Sequence, residues 1–136
     1  MVVKREPISY KSRSLGIIIL TSAQILIGVI HTIFGVLLLA SENTLLKATV
    51  AYDFYTITFG VLTLIFAVFI WQGKLAGWAG AIAVSVFVSV ADALAILKLP
   101  SIPGIPVFSA PTEITYSVFV VIYLLLPHVR IKFGVS

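Results

Sequence analysis

The chain has 136 residues, 60% of them hydrophobic and 10% charged, with a mean hydropathy of +1.17 and a net charge of +4. A soluble fold of this size leaves much of its surface in water and carries about 25% charged residues, so the composition excludes one. The basic residues sit at the ends of apolar runs rather than along one face, which excludes a nucleic-acid partner, and the lack of cysteine excludes disulfides and thiolate-held metals.

Residues 1–14 form a basic segment carrying Lys4, Arg5, Lys11 and Arg13. The uncharged run that follows, 15–40, is longer than the roughly 7–15 residues of a signal-peptide core, so it reads as a retained membrane span. Three further apolar runs give expected helices at about 43–71, 75–98 and 111–127. Each is near the ~20 residues needed to cross the hydrocarbon, the last being short. Lipid offers no partner to a free backbone amide, so continuous apolar runs become helices; strands would alternate polar and apolar residues.

The connections carry their own signals. "ASENT" (40–44) offers Asn43 as a helix cap. "QGKL" (72–75) is a tight turn with Gly73 at its bend, which makes the second and third helices antiparallel neighbours. "LPSIPGIPVFSAP" (99–111) has four prolines and no charge, and three of its prolines lie three apart, which predicts an extended, polyproline-like path along the membrane surface. Residues 129–136 form a short basic tail with Arg130 and Lys132, preceded by an interfacial His128.

With the N-terminus inside, Lys4, Arg5, Lys11, Arg13, Lys74, Arg130 and Lys132 fall on the inner side, and Lys47 and Lys98 on the outer. That bias predicts an all-α, multi-pass integral protein of the cell membrane, with four transmembrane helices in an antiparallel bundle spanning 15–128 and both termini cytoplasmic. Trp71 and Trp78 would flank the inner hairpin, and Tyr52, Tyr55 and Tyr116 would belong to an outer aromatic belt. One internal echo, "TIFGVLLL" (32–39) and "ITFGVLTL" (57–64), does not extend to the last two helices.

Small and polar residues recur at helical spacing. Gln24, Gly28, His31 and Gly35 share one face; so do Thr56, Gly60, Thr63 and Ala67, and again Ala81, Ser85, Ser89 and Asp92. Such stripes pack helices closely in lipid. At 1.5 Å per residue, His31 lies ~24 Å and Asp92 ~25 Å from the inner starts of their helices, which predicts a shared depth and inward faces for the two. Asp53 and Glu113 fall near the outer ends of the second and fourth helices. His31, Asp53, Asp92 and Glu113 therefore form a candidate intramembrane polar cluster, either hydrogen-bonding between helices or handling protons or ions. Imidazole and carboxylates suit zinc, iron or manganese, but no pair has ligand spacing on one helix, so no metal is assigned.

No catalytic motif is present, so neither an enzyme activity nor a cofactor is assigned. The first functional expectation is a subunit or scaffold of a larger membrane complex, or a homo-oligomer, whose partner touches a small-residue stripe or the proline loop. The alternatives are a small proton or cation carrier or channel using Asp92 and His31, and a membrane oxidoreductase subunit with a metal, haem or quinone near His31. A bundle this small is expected to lack a preformed pocket of ~300–1,000 Å³.

Overall fold

A computed structural model describes residues 14–41 and 49–136. These residues are helical apart from turns: α1 is Leu15–Ala40, α2 Val50–Trp71, α3 Leu75–Ile96, α4 Ala110–Leu125 and α5 Pro127–Arg130, followed by a 3-10 turn at Ile131–Phe133. The first three are long and apolar enough to cross a membrane, and α4 with its bent continuation makes a fourth candidate, as expected of a membrane-embedded protein. The N-terminal basic segment, Asn43 and Lys47 lie outside the described residues.

Three boundaries depart from the sequence reading. The helix expected from residue 43 starts at Val50, because Thr49 is extended and its hydroxyl accepts the Tyr52 amide at 3.3 Å. The third ends at Ile96 rather than 98. Here Lys98 takes a left-handed φ of 56°, and the amides of Lys98 and Leu99 close onto the carbonyls of Ala95 and Leu94. The fourth, expected to run through 127, stops at Leu125, and the chain beyond it bends by 71°. Pro127 has no N–H to give to the Tyr123 carbonyl, so the α-ladder cannot continue through it. The Leu124 carbonyl takes its bond from the Trp78 indole instead, at 2.8 Å. Trp78→Phe should therefore lower stability by about 1–3 kcal/mol, the usual cost of a buried acceptor left unpaired, readable by thermal unfolding in detergent.

The α2–α3 turn is closed at Gly73 (φ 70°), with the amides of Gly73 and Lys74 on the carbonyls of Ile70 and Phe69 at 2.9 Å each. Gly77, which with Gly73 makes a G-x-x-x-G pattern, packs on the backbone of Phe69 and Ile70. That contact takes up its face within this chain.

Helix α1 lies mainly on α2, α2 on α3, and α3 on α4. The α1–α2 contact is very close. A Cβ at Gly60 would stand 2.6 Å from the Thr32 amide and 2.8 Å from the Gly28 carbonyl; one at Gly35 would stand 2.6 Å from the Ile57 side chain and 3.2 Å from the Asp53 carbonyl. Thr32 and Ile57, Gly28 and Asp53, and Gly35 and Gly60 are each 25 residues apart, the offset of the sequence echo. The echo thus marks a reciprocal seating of two helices on each other.

At the hairpin end Ile17, Leu20, Ile70, Ala81, Val120 and Leu124 form one apolar cluster with Val129 and Phe133. At the other end Leu38, Tyr52, Ala91 and Ile105 form a second. Ile105 belongs to the proline-rich loop, which turns repeatedly instead of following the expected polyproline path; the positive φ of Lys98 and Gly104 (96°) is incompatible with one. The Ser101 hydroxyl donates to the Ala91 carbonyl at 2.8 Å and Thr49 to the Pro103 carbonyl, so the loop is fastened to both α3 and the start of α2.

Candidate functional site

The helices bring most of their polar side chains inward. Gln24, Gly28 and Gly35 of α1, Thr56, Gly60 and Thr63 of α2, and Ser85 and Asp92 of α3 are buried; Ser89 and His31 are half-buried. The loop-end half of this interior holds the ionisable groups, one on each helix.

Asp92 is 0% exposed, and neither of its carboxyl oxygens has a hydrogen-bond partner. Asp53, 4% exposed in the first turn of α2, leaves Oδ1 unpartnered. Glu113 is half-buried in the first turn of α4, near enough to Asp92 for the two charges to act on each other. His31 and Asp92, placed at one depth by the sequence, make no hydrogen bond to each other. The His31 Nδ1–H donates to the Ile27 carbonyl of its own helix at 2.9 Å, and the ring meets Phe59 edge-on, with centroids 4.8 Å apart. Equal depth was not enough, because α1 seats on α2 and its histidine turns toward α2 and α4.

Two small cavities lie in this interior, and Asp53 and Asp92 line neither. One of about 150 Å³ is lined by His31, Glu113, Tyr116 and Ser117, with Ile27 and Phe59. A second, of about 10 Å³, lies among Gln24, Thr63, Ser85 and Tyr116. Tyr116 lines both. Its hydroxyl and that of Tyr55 are buried without partners, as are Gln24 Oε1 and the Thr21 hydroxyl. Tyr55 and Tyr116, placed in an interfacial belt from sequence, therefore turn their polar ends inward. Tyr116 was legible in one respect only: it lies three residues after Glu113, on the same face.

Comparison with protein-family models, curated proteins and solved structures finds no match. The site is read from its own chemistry. Among the described residues no group of three or more His, Asp or Glu is arranged to hold a metal ion.

A lateral groove of about 690 Å³ also opens between α2 and α3 beneath the proline loop, walled by Phe54, Tyr55, Phe87 and Ile102. It overturns the expectation that the bundle has no pocket of that size. The loop, fastened to α3 and to the start of α2, covers it, and the aromatic side chains of α2 and α3 wall it.

Proposed function

We propose that this is a multi-pass protein of the cell membrane, a four-helix antiparallel bundle with both termini cytoplasmic, whose interior takes up a proton or small cation from the outer side at Asp92. It would act as a small carrier or channel. The observation that carries this reading is Asp92 itself, fully enclosed and with both oxygens unpartnered. A carboxylate removed from water without a partner costs several kcal/mol, and a bound proton or cation removes that cost. Asp53, Glu113 and His31 supply further sites for the same charge around it. Apolar clusters close both ends, Ile17, Leu20, Ile70, Val120 and Leu124 at the hairpin and Leu38, Tyr52, Ala91 and Ile105 at the loop; Asp92 lies beside the second, so the shorter route to it is from the loop end.

Orientation rests on the basic residues: Lys74, Arg130 and Lys132 lie at the hairpin end and Lys98 at the loop end. In this cysteine-free chain, Lys98→Cys should react with an impermeant thiol reagent on intact cells and Lys132→Cys should not. The reverse pattern would invert the topology. Function is tested by cation-driven pH change in liposomes: the wild type should carry flux and Asp92→Asn should carry none. Equal flux from the two would reject the reading.

The subunit or scaffold reading keeps one observation in its favour, the lateral groove with its exposed Phe54 and Phe87. Against it, the glycines expected to receive a partner, Gly28, Gly35 and Gly60, are already enclosed between α1 and α2. Co-migration with another membrane protein on a native gel in mild detergent would favour it.

A further inference from the structure

Each of the four long helices contributes one polar side chain to the 10 Å³ cavity: Gln24 from α1, Thr63 from α2, Ser85 from α3 and Tyr116 from α4. Gln24 is 3% exposed, and its Oε1 has no partner within the protein; the Tyr116 hydroxyl has none either. A volume of about 10–15 Å³ is what one water molecule needs, and a buried water needs two to four polar neighbours. The four groups here are neutral. They offer both donors and acceptors, which suits water better than a bare cation, which needs oxygen acceptors alone.

We propose that a single water molecule binds at this four-helix junction, accepting from the Tyr116 hydroxyl and donating to Gln24 Oε1. The site does not rest on the carrier reading above. Ser85 lies seven residues before Asp92 on α3, so the junction is roughly 10 Å further from the loop end than the carboxyl group. Below the junction lies the apolar cluster at Val120, Leu124 and Ile70.

Water-edited solid-state NMR of the full chain in lipid tests the site directly. Polarisation from water should reach the Gln24 side-chain amide in the wild type, and Tyr116→Phe, which keeps the ring and removes the hydroxyl, should weaken that transfer severalfold. Ser85→Ala, a milder change at the opposite wall, should weaken it too. No transfer to Gln24 in the wild type, or transfer indifferent to both variants, would overturn the site.

Discussion

Leucine at Gly60 should prevent α1 and α2 from packing and leave no folded protein to purify. A Cβ at this position already meets the backbone amide of Thr32 and the backbone carbonyl of Gly28, neither of which can move without carrying its helix. Alanine alone should therefore be destabilising by about 1–3 kcal/mol, the usual penalty for overpacking a filled interface. Gly80→Ala provides the contrast. The added Cβ there meets only the ring of Phe66, a side chain that can rotate away, so its penalty should be smaller. Thermal unfolding of the two alanine variants in one detergent measures the order, and the yield of folded Gly60→Leu tests the leucine. A Gly60→Ala protein as stable as wild type would show that α1 and α2 do not approach as closely as described.

The second large effect is at Asp92, where stability and function should part. Leucine has the same branching as aspartate and no polar atoms. Since neither Asp92 oxygen has a partner, Asp92→Leu removes a buried group worth about 1–3 kcal/mol of destabilisation, offset by the larger volume of its methyl groups. The leucine variant should be at least as stable as the wild type, and more stable than Asp92→Asn, whose amide stays buried and unpaired. Flux should be absent from both. A carboxyl group engaged in a helix-to-helix hydrogen bond would give the opposite order, with asparagine retaining part of the bond and leucine losing it.

The comparison of sequence with structure separates what periodicity can convey from what it cannot. The spans of α1 and α3 and the Gly73 turn were legible because long apolar runs and a glycine at a bend have few alternatives in lipid. The stripes on α1, α2 and α3 were legible as buried faces for the same reason. Pro127 carried a visible stop signal, yet the apolar run around it argued for continuation, and the missing N–H prevailed. The start of α2 was misplaced because Asn43 and Thr49 are both acceptable caps, and only the fold selects Thr49, whose hydroxyl also reaches the Pro103 carbonyl. The loop path depended on left-handed residues, one of them Lys98, which composition does not signal. Depth along a helix placed His31 and Asp92 level with each other, but contact also depends on which helices are neighbours. The 690 Å³ groove and the four-helix junction are properties of spacing between helices, so no single segment encodes them.

The central claim is that Asp92 is a proton- or cation-binding carboxyl group reached from the loop end of the bundle. Infrared difference spectroscopy of oriented liposomes reads it directly, through the C=O stretch of a protonated carboxyl group that is missing from Asp92→Asn. That band should respond to a change of pH, or of cation concentration, on the side facing the loop, and remain unchanged when the same step is applied to the side facing the termini. A band indifferent to both sides, or one responding only from the side of the termini, would contradict the account.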